Sequence, residues 1–205
     1  MTKPEGDSLT DVAAEVTVCT QCILHKSRVK AVPGEGPAHA DIMFVGEGPG
    51  FHENQQGRPF VGPAGQFLDE LLASIGLKRE QVFITNIVKC RPPTNRDPLP
   101  EEIEACKQYL DRQIMLIKPK VIVTLGRFSM ARAFPKEKIS WIHGQPRKVE
   151  GIVYVPMFHP AAALHQPSLR RTVEEDFKKL PKILAELDRI QDEEPPQQAQ
   201  QLSLL

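Results

Sequence analysis

Four cysteines are the residues of this sequence best suited to holding a metal centre. Cys19 and Cys22 are separated by two residues, so their thiolates can bind one centre without strain, whereas Cys90 and Cys106 lie far along the chain. Neither spacing matches the compact run of bacterial ferredoxins, so spacing alone leaves zinc and an iron–sulfur cluster equally open. The alternative is that Cys90 and Cys106 are buried as small apolar residues and nothing is bound.

A second group of residues could bind a planar ligand and assist its cleavage. Asn86 interrupts an apolar run, and a buried amide needs partners for its donor and its acceptor, such as the edge of a pyrimidine. His159 follows another apolar run and could stabilise negative charge on a leaving group, although a satisfied core histidine is the commoner case. Phe60 lies in a loop without a periodic core role, where it either packs or offers a face for stacking.

The run at residues 46–50 (GEGPG) has three glycines directly after an apolar segment. It is not a dinucleotide-binding fingerprint, because Phe51 occupies the position of the last required glycine and Pro49 lacks a backbone donor. The run is either a tight turn or a place where the backbone must approach a ligand closely.

These residues need a scaffold that brings them together, and the hydrophobic pattern predicts one. Short apolar runs predict buried strands at residues 41–46, 82–88 and 121–125, and a hairpin-like pair over residues 148–158. Periodic apolar positions and capping residues predict helices from residue 8, over 64–75, from 100 to 117, and over 173–190. Alternating strands and helices predict an α/β domain with a mostly parallel sheet over residues 1–190.

Three unusual segments follow predicted strands, at residues 46–50, 86–96 and 158–160. Ligands of open parallel sheets bind beyond the carboxyl ends of the strands. We therefore expect these segments to meet at one edge of the sheet and to form a single site.

The charge balance limits the classes of partner. Lys plus Arg and Asp plus Glu each number 26, so the formal net charge is zero and any nucleic-acid-binding face must be local. No apolar run reaches the ~18 residues of a membrane span, and residues 1–11 lack the basic and apolar parts of a signal peptide. The sequence predicts a soluble, cytoplasmic protein, in whose reducing surroundings four cysteines favour a metal site over disulfides.

Four motifs of the sequence occur in an order that resembles a known family, at residues 46–50 (GEGPG), 57–62 (GRPFVG), 85–93 (TNIVKCRPP) and 157–161 (MFHPA). Over about residues 12–190 the chain closely resembles the family 4 uracil-DNA glycosylases, the iron–sulfur type of bacteria and archaea. The resemblance implies a four-stranded, mostly parallel central sheet with helices on both faces. It also implies a [4Fe–4S] cluster on Cys19, Cys22, Cys90 and Cys106.

The resemblance implies base excision repair as the function. Such an enzyme flips uracil out of single- or double-stranded DNA and hydrolyses its N-glycosidic bond, which leaves an abasic site. By the family pattern Phe60 stacks on the base, Asn86 reads its O4 and N3 edge, and His159 stabilises the uracil anion near O2. The implied substrate-binding residues are Gly46, Glu47, Gly48, Glu53, Phe60, Asn86 and His159.

This sequence departs from the best-known uracil-DNA glycosylases at two positions. Gly48 occupies the place of the aspartate that positions the attacking water, so Glu47, Asn95 and the backbone of Gly48 are candidates for that role. The implied catalytic residues are then Glu47, Asn95 and His159. Gly50 replaces the tyrosine that excludes the methyl group of thymine, and Glu53 is predicted to supply that wall.

Contacts with DNA are expected at the mouth of the pocket, with the enzyme acting as a monomer. Leu164 is the predicted wedge that fills the gap left by the flipped base. Phosphate contacts are predicted at Lys89, Arg91, Arg96, Arg170 and Arg171. For Arg170 and Arg171 the alternative is a solvated basic start to the last helix.

The last residues of the chain predict a second kind of partner. Residues 191–205 contain Glu, Pro and Gln but little to bury, which is typical of a flexible tail. The segment Gln201–Leu205 (QLSLL) resembles the motif by which bacterial repair proteins dock on the sliding clamp. A functionless terminus, or leucines folded back on the last helix, are the alternatives.

Three other functions remain open from the sequence. A zinc-stapled DNA-binding module without catalysis predicts a colourless protein that releases no base. An iron–sulfur oxidoreductase would need a second cofactor site, and the sequence has no nucleotide-binding fingerprint. A glycosylase of the same superfamily with wider scope would also accept hypoxanthine or xanthine.

Overall fold

The computed structural model of the protein describes residues 6–193, which contain a five-stranded sheet of order β2-β1-β3-β5-β4. The strands are β1 (Ile42–Gly46), β2 (Phe83–Asn86), β3 (Val121–Leu125), β4 (Arg147–Val149) and β5 (Ile152–Met157). All neighbouring pairs are parallel except β4 with β5. The mostly parallel α/β class is confirmed.

The sheet has five strands where the resemblance implied four. The additional strand is the short edge strand β4, whose residues alternate between half-buried and exposed. The predicted hairpin-like pair is present, because Glu150 and Gly151 both have positive φ (49° and 85°), as a two-residue turn between twisted strands requires.

Helices cover both faces of the sheet, as predicted. They are α1 (Leu9–Val18), α2 (Phe51–Gln56), α3 (Pro63–Ser74), α4 (Pro100–Ile117), α5 (Arg127–Ala131), α6 (Ile139–Ile142), α7 (Pro160–His165), α8 (Pro167–Phe177) and α9 (Leu180–Glu193). Ser8 caps α1 by accepting a hydrogen bond from the backbone N–H of Asp11 at 3.2 Å. Residues of α1 and α4 pack with one face of the sheet, and residues of α3, α8 and α9 pack with the other.

The predicted single helix over residues 173–190 is wrong. The structure has two helices there, with α8 ending at Phe177 and α9 beginning at Leu180. Pro181 is the reason, because inside a continuous helix its ring would clash with the carbonyl of Phe177 and it has no N–H to donate. At the start of α9 the same residue is tolerated, since the first turn leaves its N–H groups unpaired.

Two expectations concern the ends and the surface of the fold. Helix α9 extends past the predicted domain boundary at residue 190, and the remaining tail, including Gln201–Leu205, lies outside the described residues. Within residues 6–193 we find no helix that is both long and apolar enough to span a bilayer.

Candidate active site

A cavity of about 500 Å³ lies at the carboxyl ends of the parallel strands. Segments that follow β1, β2, β3 and β5 line it, as the positions of the unusual loops predicted. It brings together seven of the eight residues predicted to bind the substrate or to catalyse the reaction: Glu47, Gly48, Glu53, Phe60, Asn86, Asn95 and His159. Gly46 is not part of the lining but lies directly behind it.

Asn86 presents an unsatisfied acceptor in this cavity. The residue ends β2, its side chain is 1% exposed, and its Oδ1 is buried without a hydrogen-bond partner. Gly46 is its neighbour in β1, and a Cβ at Gly46 would lie 2.4 Å from that oxygen and 2.7 Å from the Phe60 ring. The absence of a side chain at position 46 therefore lets the amide and the ring approach each other. A buried acceptor without a partner is costly, which indicates that a ligand supplies the donor.

Lys89 holds the backbone of Asn86 from behind. Its Nζ donates to the Asn86 carbonyl at 2.9 Å, to Thr85 Oγ1 at 2.6 Å and to Gln113 Oε1 at 2.7 Å. The side chain is fully buried, and this burial lowers the pKa of Lys89 to about 7. The predicted contact of Lys89 with DNA phosphates is therefore wrong, because the ammonium group faces the protein interior.

Phe60 adopts a backbone conformation that is unusual for an aromatic residue. Its φ is +50°, a left-handed conformation that costs an L-residue about 1–2 kcal/mol. Hydrogen bonds fix the peptide group after Phe60, since Arg79 Nη1 donates to its carbonyl at 3.0 Å and Val61 N donates to Glu53 Oε1 at 2.8 Å. Arg79 Nη2 also donates to the Pro59 carbonyl, which fixes the peptide group before Phe60. The ring is thereby held in the wall of the cavity.

Glu53 braces two loops at once. Its Oε1 also accepts a hydrogen bond from Gly62 N at 2.9 Å, and its Oε2 accepts one from Gly50 N at 3.1 Å. The carboxylate lines the cavity while it holds the loop at 46–50 against the loop at 57–62. Both of its oxygens already accept protein N–H groups, so Glu53 is a fixed wall of the cavity.

His159 is a neutral hydrogen-bond donor in this environment. Burial lowers its pKa to about 4, so the ring is uncharged at neutral pH. Its Nδ1 accepts a hydrogen bond from Ala161 N at 3.1 Å at the start of α7, which leaves the ring proton on Nε2. The imidazole stacks on Phe60 with ring centroids 5.5 Å apart.

Glu47 and Asn95, the two side chains predicted to position water, differ in setting. Glu47 Oε1 accepts a hydrogen bond from Phe128 N at 3.3 Å, and burial raises the pKa of the carboxyl against the opposing effect of that bond and of Arg127. Asn95 is exposed at the mouth of the cavity, and its Oδ1 is occupied by Arg91 Nε at 2.6 Å. Of the two, Glu47 has the less solvated group.

The four cysteines line a second, smaller cavity. They come from the end of α1, the turn after it, the loop after β2 and the middle of α4: Cys19, Cys22, Cys90 and Cys106. All four are free thiols. Within residues 6–193, no group of three or more His, Cys, Asp or Glu side chains is arranged to hold a single metal ion.

The surroundings of the cysteines fit a thiolate-bound metal centre. Backbone N–H groups point at two of the sulfurs, from Lys89 to Cys106 at 3.2 Å and from Gln21 to Cys19 at 3.5 Å. Arg28 Nη1 donates to the sulfur of Cys90 at 3.3 Å. Hydrogen bonds and a positive charge of this kind stabilise anionic sulfur, and four thiols are the soft donor set that iron–sulfur clusters take.

Most of the arginines predicted to contact phosphates are paired with carboxylates. Arg96 makes a bidentate pair with Glu102, whose oxygens lie 2.6 and 2.9 Å from its guanidinium nitrogens. Arg170 and Arg171 lie on α8. Arg170 forms ion pairs with Glu70 of α3 and with Glu174, and Arg171 forms one with Glu175. The predicted wedge, Leu164, is exposed on α7.

Three polar residues that support the site were missed in the sequence. Arg79 donates to the carbonyls of Pro59 and Phe60, and Gln113 donates to the Pro33 carbonyl while it accepts from Lys89. The third is Arg28, which donates to the sulfur of Cys90. Each lies far in sequence from what it contacts, inside an ordinary polar run, so no local signal marks it.

Comparison with known proteins identifies similar sequences. A family model described as the uracil DNA glycosylase superfamily matches residues 33–187. The chain is 52% identical over 184 residues to the type-4 uracil-DNA glycosylase of Sulfurisphaera tokodaii, covering 85% of this chain and 84% of that protein. It is 49% identical over 183 residues to that of Archaeoglobus fulgidus, covering 85% and 92%. A type-5 uracil-DNA glycosylase of Thermus thermophilus is 37% identical over 116 residues, covering 49% and 52%.

Proposed function

Because the chain belongs to the uracil-DNA glycosylase superfamily, we infer that it is a uracil-DNA glycosylase, which hydrolyses the N-glycosidic bond of uracil in DNA. One observation carries the assignment of its site: the unpaired buried oxygen of Asn86 lies in a cavity that also contains Phe60 and His159. The reaction leaves an abasic site, and the enzyme has to flip the nucleotide out of the helix before it can cleave the bond.

We propose that Asn86 reads the Watson–Crick edge of uracil. Its Oδ1 accepts the N3–H of the base, and its amide N–H donates to O4. Cytosine has an unprotonated N3 and an amino group at C4, so both contacts would be lost. The ring centroids of Phe60 and His159 are 5.5 Å apart, whereas a base inserted between the two rings would need a separation of about 7 Å. This supports a position for the base beside the histidine.

His159 is proposed to stabilise the departing uracil anion. Negative charge develops on O2 as the glycosidic bond breaks, and the Nε2–H of a neutral imidazole can donate to it. The low pKa and the backbone bond to Nδ1 support this role, because they keep the proton on the nitrogen that is free to donate. A preorganised donor of this type contributes about 2.7–4 kcal/mol to the transition state.

Glu47 is proposed to position the attacking water and to stabilise the positive charge on the sugar. A carboxylate in a poorly solvated site attracts a developing cation more strongly than one in water does. The setting of Glu47 inside the cavity supports it over Asn95, which is exposed and already bonded to Arg91. Asn95 remains the second candidate.

The pH dependence of uracil release tests the role of Glu47. Burial raises its pKa, so the carboxylate is present above the raised pKa and is lost as the pH falls through it. We expect the single-turnover rate to fall on the acid side for this reason, because His159 stays neutral down to about pH 4. Glu47→Gln should be about 10²-fold slower or more near neutral pH and should lose this acid limb. An unchanged acid limb in Glu47→Gln would contradict the assignment, and Asn95→Ala provides the comparison.

The proposed activity itself is tested with the purified chain and a set of oligonucleotides. We expect free uracil and an abasic site from single-stranded DNA and from duplexes with uracil opposite guanine or adenine. Substrates with hypoxanthine or xanthine in the same position decide whether the base scope is wider. Binding without release of any base would support the non-catalytic alternative.

We propose that Cys19, Cys22, Cys90 and Cys106 hold a [4Fe–4S] cluster, which supplies a structural cross-link because glycosidic hydrolysis transfers no electrons. Arg28 donates a hydrogen bond to the sulfur of Cys90, and the backbone N–H of Lys89 donates one to the sulfur of Cys106. Both bonds would stabilise the thiolates that hold the cluster. The cytoplasm is the proposed compartment, in keeping with four cysteines that form no disulfide.

The segment Gln201–Leu205 is proposed to dock on a bacterial sliding clamp, with the folded part acting as a monomer. The sequence supports this, because a glutamine precedes leucines that can enter a hydrophobic groove. We expect the full chain to bind a clamp and a version ending at Pro196 not to bind it. Both should release uracil from a short oligonucleotide at equal rates, since the residues proposed to act on the base all precede the truncation. Equal clamp affinities would refute the docking role.

A further inference from the structure

Trp141 is a large apolar side chain that the protein leaves uncovered. It is the only tryptophan of the sequence, it lies on α6, and it is 63% exposed. Ile139 on the same helix lines the active-site cavity. Trp141 therefore lies within one helical turn of a residue that lines the cavity.

Helix α6 is fastened to the site by the residues at its end. Ile142 is buried, and His143 Nδ1 lies 2.7 Å from Oδ2 of the buried Asp176 on α8. The His143 ring also packs against Phe158, with centroids 4.9 Å apart. Trp141 is thus held at a fixed position relative to the residue that precedes the catalytic histidine.

Unpaired positive charge accompanies the indole. Lys138 Nζ lies 4.9 Å from the centroid of the Trp141 ring. Lys136 and Lys138 are both exposed, and neither has an ion-pair partner among residues 6–193. Three of the four arginines predicted to bind phosphates are by contrast paired with carboxylates: Arg96, Arg170 and Arg171.

We propose that Lys136, Lys138 and Trp141 bind the single-stranded DNA that flanks the flipped nucleotide. A neighbouring base stacks on the indole, and the adjacent phosphates lie against the two lysines. A paired base inside a duplex has both faces covered, so this surface favours single-stranded or locally opened DNA. The inference rests on the proposed function, because it assumes that DNA enters the adjacent cavity.

Selectively excited tryptophan fluorescence gives a direct test, since Trp141 is the one tryptophan of the sequence. Titration with a single-stranded oligonucleotide that lacks uracil should quench the emission in a saturable way. The duplex of the same sequence should quench less. The apparent Kd should rise with salt, because the two lysines release counterions from the phosphates.

Variants separate stacking from charge. Trp141→Ala should raise the Kd for single-stranded DNA, and the KM for a single-stranded uracil substrate, by roughly 5- to 150-fold, with kcat unchanged at saturation. Trp141→Phe should recover part of this loss, because a smaller ring still stacks. Replacing Lys136 and Lys138 together by alanine should flatten the salt dependence, whereas Lys182→Ala, an exposed lysine on α9, should not.

The outcomes distinguish this surface from the activity. If the parent releases uracil and Trp141→Ala has the same Kd and KM as the parent, the surface is refuted and the activity stands. If the parent quenches on DNA but releases no base, the surface stands and the proposed function is refuted. If DNA does not quench, and the protein forms dimers that Trp141→Ala dissociates, a second copy covers the indole and the inference is wrong.

Discussion

Uracil release by the Asn86→Ala variant is expected to be about 10²–10³-fold slower than that of the parent, with the fold intact. The substitution removes both polar contacts with the pyrimidine edge, and it leaves no other amide in the cavity lining to replace them except the exposed Asn95. The fold should survive, because the buried oxygen of Asn86 makes no hydrogen bond that the protein would lose. His159→Ala should have an effect of the same size, since it removes the donor to O2.

Single-turnover rates on a uracil-containing duplex, measured together with thermal unfolding, decide this prediction. Asn54→Ala is the matched control, because Asn54 is an equally buried amide whose Oδ1 already accepts a hydrogen bond from Val29 N at 2.9 Å. Its loss should lower the unfolding temperature and leave the rate of chemistry close to that of the parent. Parent-like rates in both Asn86→Ala and His159→Ala would show that the cavity has been assigned to the wrong reaction.

Removal of one cysteine is expected to have the largest effect on stability. The parent should be brown and contain four irons per chain, and Cys106→Ala should lose both the visible absorbance and the iron. The free energy of metal binding is also free energy of folding, so unfolding should become easier by at least the ~2–5 kcal/mol typical of losing a native covalent cross-link. The sulfur of Cys106 on α4 accepts a hydrogen bond from the backbone N–H of Lys89, in the segment that follows directly from Asn86.

Metal analysis and denaturant unfolding measure this effect. Tyr109→Phe is a suitable control, because Tyr109 lines the cysteine cavity and the substitution keeps its aromatic ring and removes only the hydroxyl. We expect that variant to keep its iron. One zinc and no iron in the parent would refute the cluster, and unchanged iron in Cys106→Ala would remove that cysteine from the set of ligands.

Local sequence patterns predicted an element correctly where the residues of that element alone determine its structure. The apolar runs of β1 and β3 predicted buried strands, and the turn at Glu150 and Gly151 predicted the hairpin. The final helix was mispredicted because its apolar period continues across Pro181, although proline cannot continue the hydrogen bonding. Pro181 alone predicts that a continuous helix must be interrupted just before it.

Local sequence patterns did not predict which polar and charged side chains are buried or which partners they have. Lys89 was predicted to contact DNA because it is basic and was placed at the pocket mouth, yet it directly follows the apolar run predicted as a buried strand at residues 82–88 and is itself buried. That run was an available signal. The partners of Arg79 and Gln113 had no such signal, because the contacts join segments that are distant in the chain and are decided only by the packing of the whole domain.

The hydrogen bonds of the Glu53 carboxylate also restrict how many residues the segment around it can contain. Surface loops usually tolerate insertions and deletions, since closing a longer loop costs little free energy. The segment from Gly50 to Gly62 is different, because the amides at its two ends bond to the same side chain from within it. One inserted or deleted residue would detach an end and release the strained Phe60 from the cavity wall. Insertions are therefore expected to be excluded here even at the exposed residues of α2, which makes the segment a poor place for tags or grafted sequences.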